Sequence, residues 1–176
     1  MNIVHSEFFF SCQVVFACLD SGVLALIAEY IILKMSSNSI KIVSMNCHRL
    51  ADPHNKKNVF HYLRKRSYLI YLLTDTHFDS KLENCIQAER GYQCYFVSYN
   101  SSYRDVALLF YNNLEFSVKK VHKDIAGNYI FATVKMMDRD FFIVSLYGPY
   151  CDDSEFYIEL EEQINEVGFE KNYHWR

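Results

Sequence analysis

The sequence has few glycines and prolines, the residues that most often interrupt helices and strands. It has 5 glycines and 2 prolines among 176 residues, which excludes collagen-like and low-complexity classes. Its 6 cysteines include no C-x-x-C pair, so neither a zinc knuckle nor a disulfide framework is indicated. We interpret them as reduced thiols of an intracellular protein. The net charge of −3 excludes a chain that is basic throughout, as many nucleic-acid binders are.

A long uninterrupted apolar run is also absent, although residues 1–39 are strongly hydrophobic. Asp20 and Glu29 interrupt this segment, and no stretch reaches the roughly 20 residues that a membrane helix needs. No basic region precedes it, unlike in a signal peptide. Three interpretations stay open: a membrane-attached helix over residues 8–33, a packed N-terminal helix, or a non-native extension read from upstream sequence. The "MSSNS" junction favours the extension, and we expect the protein in the nucleus or the cytoplasm.

Apolar and aromatic residues are abundant, at 51% and 16% of the chain. This content suffices for a core in one domain, which we place at residues 40–176. Pro53 is expected to delay the first helix, and Ser154 to cap the last one. The pattern predicts strand, helix, strand and helix at 40–46, 56–66, 67–73 and 80–90, then five short strands and a helix at 155–167. This order indicates an α/β fold with mixed sheets.

Four short stretches with polar side chains line up at the ends of predicted strands. The four stretches are "SMN" at 44–46, "TDTH" at 74–77, "YRDVALLF" at 103–110 and "LYGPY" at 146–150. Open α/β sheets bind their ligands at the carboxyl ends of strands. An amide from Asn46 and a carboxylate from Asp75 are hard oxygen ligands, which suit Mg²⁺ or Mn²⁺.

In this order the four stretches resemble the endonuclease/exonuclease/phosphatase superfamily. The nearest likeness is to the endonuclease domain of LINE-type (non-LTR) retrotransposons, which is similar to apurinic/apyrimidinic endonucleases. The family's S-x-N-x-x-G-L stands here as "SMNCHRL", and its L-Q-E-T-H stands as "LLTDTH". Its G-V-A-I-L-F and L-Y-G-P-N stand as "DVALLF" and "LYGPY". The resemblance covers about residues 40–167 and does not extend to residues 1–39.

The resemblance implies a fold, a reaction and roles for four residues. The fold would be the N-terminal half of a four-layer α/β sandwich, with two packed mixed β-sheets flanked by helices. The reaction would be Mg²⁺- or Mn²⁺-dependent hydrolysis of DNA phosphodiesters, the nick that primes reverse transcription. Asp75 would bind the metal in place of the usual glutamate, with Asn46 beside it as a ligand and catalytic residue. Tyr147 would contact the scissile phosphate region, and His77 follows as in the family's E-T-H.

The chain departs from the family pattern at several positions. Glycines of the family are replaced by Arg49 and Asp105, and we expect backbone strain where a turn needed glycine. Thr74 stands for glutamine, and Tyr150 for asparagine. The family's later G-D-F-N and S-D-H motifs occur nowhere in the chain. We therefore expect a fragment whose C-terminal half is missing and which is inactive as a nuclease, because such sites work as units.

Two other functions stay open. One is a phosphoesterase of another branch of the superfamily, which would act on a small phosphate ester. The other is a non-catalytic fragment that binds nucleic acid or a partner through the basic helix. That helix would contact phosphates through five side chains, although the same charges also suit a merely solvated helix face: Lys56, Lys57, Arg64, Lys65 and Arg66.

Overall fold

The structure of the chain is a computed structural model of residues 1–176. It describes the backbone of residues 12–18, 23–27, 30–35, 38–47, 49–50, 52–66, 68–77, 91–97, 105–149 and 153–168. Side chains are described within these ranges from residue 40 to residue 167. The predicted helix at 80–90 and the position of Tyr150 lie outside the described residues.

The described elements are strands with two helices between or after them. The helices are α1 (Pro53–Arg66) and α2 (Ser154–Gly168). The strands, in chain order, are β1 (Cys12–Cys18), β2 (Val23–Ile27), β3 (Tyr30–Met35), β4 (Asn38–Asn46), β5 (Ile70–Thr74), β6 (Tyr92–Val97), β7 (Val106–Tyr111), β8 (Phe116–Lys123), β9 (Tyr129–Met136) and β10 (Arg139–Tyr147). The predicted mixed α/β content is confirmed.

The strands form two sheets of five strands each. Sheet I has the order β2-β1-β10-β9-β8, and sheet II has the order β3-β4-β5-β7-β6. Within the described pairings, β4 and β5 are parallel and the other neighbours are antiparallel. A parallel pair needs a crossover connection, and α1 supplies it between β4 and β5.

The N-terminal region is not helical where the structure describes it. Its described parts form the strands β1, β2 and β3, so the two helical interpretations of residues 1–39 are wrong for these residues. β1 pairs with β10, and β3 pairs with β4. Strand edges carry unpaired N–H and C=O groups, and these pairings satisfy them. Whether the segment is a non-native extension, and whether a domain boundary lies at residue 40, stay predictions.

α1 begins earlier than the sequence pattern predicted. Its first residue is Pro53, and Asp52 caps it by accepting a hydrogen bond from the Asn55 N–H at 2.8 Å. The prediction that Pro53 delays the helix is wrong, because proline at the first helical position loses no hydrogen bond. Three side chains on one face are buried against sheet II: Val59, Phe60 and Leu63.

α2 is capped by a different residue from the predicted one. Asp153 Oδ1 accepts a hydrogen bond from the Phe156 N–H at 3.1 Å, and Ser154 already belongs to the helix. Aspartate and serine are both good caps, so the sequence alone did not separate the two positions. Leu160 is buried against strands β9 and β10, with Phe156 and Ile164 packed around it.

Three hydrophobic clusters hold these elements together. One contains side chains of both sheets, among them Ile42, Leu72 and Ile143. The second lies between α1 and sheet II, and the third between α2 and sheet I. Every residue of β5 is buried, as its continuous apolar run predicted. β5 is therefore a central strand of sheet II. The residues that follow it lie where the strands of this sheet end.

No helix in the described ranges is long and apolar enough to cross a membrane.

Candidate functional site

β4 and β5 end side by side. Asn46 and Thr74 are partners in the parallel register, and the Cys47 N–H donates to the Thr74 carbonyl at 2.8 Å. Asp75 therefore leaves β5 next to the residue at which β4 ends. The structure brings Asn46 and Asp75 to one edge of the sheet, as their places at two strand ends predicted.

The chain stays paired beyond both strands. The Arg49 N–H donates to the Asp75 carbonyl at 2.8 Å, and the Leu50 N–H donates to the Thr76 carbonyl at 2.9 Å. On the other side, the Thr76 N–H donates to the carbonyl of Asp105, which directly precedes β7, at 3.3 Å. Three segments thus meet here in a fixed arrangement. The residues that lie where β4 and β5 end and β7 begins are called the strand-end edge. They are Asn46, Arg49, Asp75, His77 and Asp105.

Asp75 and His77 form a close polar pair within this edge. His77 Nε2 lies 2.8 Å from Asp75 Oδ1. The side chain of Asp75 is 20% exposed and that of His77 is 12% exposed, so solvent reaches the pair only partly. Such a contact orients the carboxylate, as an imidazole does for a neighbouring acid at many catalytic and metal sites. The sequence placed the two residues in one motif but did not predict this contact.

Backbone strain is concentrated in the strand-end edge. Four of its residues have positive φ angles: Arg49 at 70°, Asp75 at 55°, His77 at 50° and Asp105 at 64°. The left-handed conformation costs most residues with a Cβ roughly 1–2 kcal/mol, although aspartate and histidine adopt it several times more often than the average residue. Such strain persists only where surrounding contacts impose it, and it clusters at functional sites.

The remaining positive φ angles of residues other than glycine, within the described ranges, have an ordinary cause. They belong to Met137 and Asp138, the turn between β9 and β10. Two-residue hairpin turns of the favoured type require positive φ at both central residues. The strain at the strand-end edge has no such local explanation.

Backbone strain is expected at Arg49, where the resemblance implies a glycine. Arg49 is exposed and has left-handed backbone. Asp105, at the second such position, is also left-handed and is fully buried, at 0% exposure. Both positions therefore have the backbone geometry that favours glycine, although this chain places a charged residue at each.

Arg49→Gly is expected to raise the free energy of unfolding by about 0.5–1 kcal/mol. Glycine removes the steric cost of the left-handed conformation, partly offset by the greater freedom of the unfolded chain. Urea unfolding measures the difference. Arg49→Ala is the control, because alanine keeps the strain and removes the same exposed side chain. Equal stability of the two variants would show that the backbone at residue 49 carries no strain.

Two buried hydroxyl groups flank Asp75 in the chain. Thr74 and Thr76 are both 0% exposed, and neither Oγ1 atom has a hydrogen-bond partner among the described residues. A buried polar group without a partner costs about 1–3 kcal/mol, so the fold tolerates two unfavourable groups beside a carboxylate. The sequence did not single out Thr76, since a threonine after an acid is common.

Tyr147 lies on the other sheet. It ends β10, is 1% exposed, and packs in the cluster that both sheets share. Its backbone N–H donates to the Asn128 carbonyl at 2.7 Å. The structure thus places the tyrosine between the sheets, whereas Asn46, Asp75 and His77 meet at one edge of sheet II. Its contact with a phosphate stays a prediction.

The Asp75 carboxylate and the Asn46 amide are oxygen donors of the kind that Mg²⁺ binds in proteins. In the described residues, no three His, Cys, Asp or Glu side chains are grouped so as to hold a metal ion. Zinc sites use three or four such ligands, and calcium takes six to eight oxygens from the protein and water. Mg²⁺ keeps several waters and binds through one or two carboxylates. One carboxylate, from Asp75, with an amide from Asn46 is consistent with that mode.

The five basic residues of the predicted phosphate-binding helix all lie on α1. Lys56 is half-buried, and the other four are exposed. They are Lys57, Arg64, Lys65 and Arg66. Their exposure is what either interpretation requires, a phosphate-binding surface or a solvated helix face.

No protein-family model matches the chain. The likeness to LINE-type endonucleases is therefore carried by the four stretches themselves and by their order along the chain.

Proposed function

We propose that the described part of residues 40–167 is the N-terminal half of a four-layer α/β domain from a LINE-type, Mg²⁺-dependent DNA endonuclease. One observation carries this proposal. Two neighbouring parallel strands deliver Asn46 and Asp75 to one strained edge, at the positions that the family's metal-binding motifs occupy. The two sheets share one hydrophobic cluster, and a helix packs on each of them, which is consistent with the four-layer arrangement.

The strand-end edge would hold the metal through the Asp75 carboxylate and the Asn46 amide oxygen. A bound divalent ion supplies positive charge that polarises a phosphate and stabilises the leaving oxygen. His77 holds the Asp75 carboxylate through the 2.8 Å contact, so it acts as a positioning residue. Aspartate is one methylene shorter than the family's glutamate, and the left-handed backbone at Asp75 changes the direction in which this shorter side chain leaves the strand.

Residues 1–176 are expected to bind the metal ion without cleaving DNA. Hydrolysis of a phosphodiester also needs groups that activate water and protonate the leaving oxygen. The family supplies them from the G-D-F-N and S-D-H motifs, and neither occurs in these residues. We expect this chain to bind Mn²⁺ or Mg²⁺ weakly and to leave supercoiled plasmid intact.

Asp75→Asn is expected to abolish the binding of Mn²⁺, followed by electron paramagnetic resonance of the free ion. The substitution removes the only charge among the proposed ligands, whereas asparagine tolerates the left-handed backbone. Asp138→Asn is the matched control, because Asp138 is also a left-handed aspartate but is 98% exposed in a turn. Loss of Mn²⁺ binding in Asp75→Asn alone supports the site.

Three results would contradict this proposal or change it. Equal Mn²⁺ binding by both variants and the unmodified chain would place the ion elsewhere. A plasmid nick that depends on Asp75 would show that the chain supplies the missing groups from other residues. Hydrolysis of a small phosphate ester without nicking would instead favour the phosphoesterase branch.

A further inference from the structure

The two described helices carry opposite charges. α1 has five Lys or Arg residues and no Asp or Glu among its 14 residues. α2 has five Glu residues and no Lys, Arg or His among its 15 residues. α1 packs on sheet II and α2 on sheet I, while the two sheets share the cluster between them. The small net charge of the chain thus conceals one basic and one acidic helix.

The electrostatic stability of each helix explains only part of this charge pattern. A helix macrodipole favours acidic residues near the N-terminus and basic residues near the C-terminus. Arg64, Lys65 and Arg66 in the last turn of α1 follow this rule. Lys56 and Lys57 do not follow it, because they lie in the N-terminal half of α1, where Asp52 at the N-cap supplies a negative charge. The macrodipole therefore does not account for these two lysines.

The acidic residues of α2 also follow the macrodipole rule at only one end of the helix. Glu155 lies in its first turn, where a carboxylate is favourable. Glu166 lies near its C-terminal end, where no basic residue is present in the last turn. Each helix thus keeps one sign of charge along its whole length, which the macrodipole does not explain.

α1 also pairs a cation with an exposed aromatic ring. The Arg66 guanidinium carbon lies 5.4 Å from the centre of the Tyr62 ring, and Tyr62 is 39% exposed. Aromatic rings beside cations are typical of surfaces that track a nucleic-acid backbone and stack on its bases. The buried residues Phe60 and Leu63 fix the helix on sheet II, so this surface is held in a defined position.

We propose that the exposed surface of α1 binds the phosphodiester backbone of a nucleic acid. Lys57 and Arg64 are both exposed and lie seven residues apart on one face of α1, about 10.5 Å along the helix, which is close to three phosphate steps of 3.4 Å along one strand. The choice of nucleic acid rests on the proposed function. The surface itself is independent of Asp75.

The test is fluorescence anisotropy of a labelled single-stranded oligonucleotide and of its duplex, with the full 176-residue chain. The variant Arg64→Gln/Lys65→Gln/Arg66→Gln removes three charges from α1, and glutamine keeps helix propensity. The matched control Lys120→Gln/Lys123→Gln/Lys135→Gln removes three charges from strands β8 and β9. Both variants therefore change the net charge equally.

The unmodified chain is expected to bind at low salt and to lose affinity as salt rises. The α1 variant should bind about tenfold or more weakly, with a salt slope reduced by about three, because each phosphate contact contributes about one. The control variant should bind like the unmodified chain. Tighter binding to the single strand would assign Tyr62 to base stacking, and equal binding to both forms would assign the contact to the phosphates alone.

Lys57→Glu separates binding from a solvated helix face. The substitution places a favourable charge near the N-terminus of α1, so the thermal midpoint should stay equal or rise, while binding weakens. Unchanged binding in this variant and in the triple α1 variant would overturn the proposal. So would equal losses in the α1 and control variants, or no binding at low salt.

Self-association is the remaining alternative. If α1 instead contacts α2 of a second copy, the chain will sediment as larger species at low salt, and substitution of either helix will abolish them. That result would overturn nucleic-acid binding at α1. Mn²⁺ binding without oligonucleotide binding would refute this inference alone and leave the metal site standing.

Discussion

Tyr71→Phe is expected to lower the free energy of unfolding by about 2–3 kcal/mol. Tyr71 is 0% exposed. Its hydroxyl donates to the Leu63 carbonyl of α1 at 2.8 Å and accepts from the Tyr68 N–H at 3.0 Å. Phenylalanine would leave a buried carbonyl and an N–H without this partner, each at a cost of about 1–3 kcal/mol. The hydroxyl therefore fastens α1 to β5, the strand that leads to Asp75.

Urea unfolding followed by far-ultraviolet circular dichroism measures this loss. Tyr62→Phe is the control, because it removes the same atom from a half-exposed tyrosine of α1 and should change stability by less than about 0.5 kcal/mol. The aromatic contacts of residue 71 survive the change, including the edge-on contact with Tyr92 at 5.5 Å between ring centres. Equal effects of the two substitutions would show that the buried hydroxyl contributes nothing particular.

Raising the pH above 10 is expected to unfold the protein. Burial, with Tyr92 close by, raises the pKa of the Tyr71 phenol far above its ordinary value of 10.0. Burial also raises the pKa of Tyr92, Tyr95 and Tyr129. A group whose pKa is raised by folding stabilises the folded state fully below pH 10, and this contribution is lost as the pH rises, because only the unfolded chain ionises.

The alkaline loss from Tyr71 alone should approach 1.4 kcal/mol for each pH unit above 10. Unfolding free energies between pH 9 and pH 12 would measure it, with tyrosinate absorbance as an independent signal. Tyr71→Phe should be less stable at pH 9 but should show a shallower slope above pH 10, since one of the four groups is gone. Parallel slopes for the two proteins would contradict a buried phenol at residue 71.

The prediction of β5 shows what a sequence pattern determines well. An apolar run of five or more residues needs cover on both faces, whichever elements supply it. All five residues of the strand are indeed buried. The helix faces of α1 and α2 followed for the same reason, because apolar residues at three- and four-residue spacing must face a core.

Helix ends and the N-terminal strands show where such patterns fail. Asp153 and Ser154 are adjacent, and aspartate and serine are equally favourable as N-caps. Only the three-dimensional path of the chain determines that Asp153 is the cap. Residues 12–35 lacked the alternation that marks a strand, so they suggested helix or an extension. The edges of β10 and β4 offered backbone partners, and a pairing of that kind depends on residues more than a hundred positions away for β1.

The sequence also predicted only part of the strand-end edge. Its residues could be found from the sequence, because strand ends are local features and Asn46 and Asp75 stand in recognisable stretches. The contact of His77 with Asp75 and the burial of Asp105 could not. They depend on how three separate segments meet where the strands of sheet II end. Aspartate and histidine adopt positive φ more often than most residues, but this preference alone does not determine where they do so.

By itself the sequence determined the α/β class, the central strand β5, the basic and acidic helices and the order of the four stretches. These follow from residue type and local spacing, which act between neighbours in the chain. Only the tertiary structure decided that Asp75 meets His77, that Arg49 and Asp105 take left-handed backbone, and that α1 and α2 pack on different sheets. Those outcomes depend on strand register and sheet order, which distant residues set together through burial and backbone hydrogen bonding.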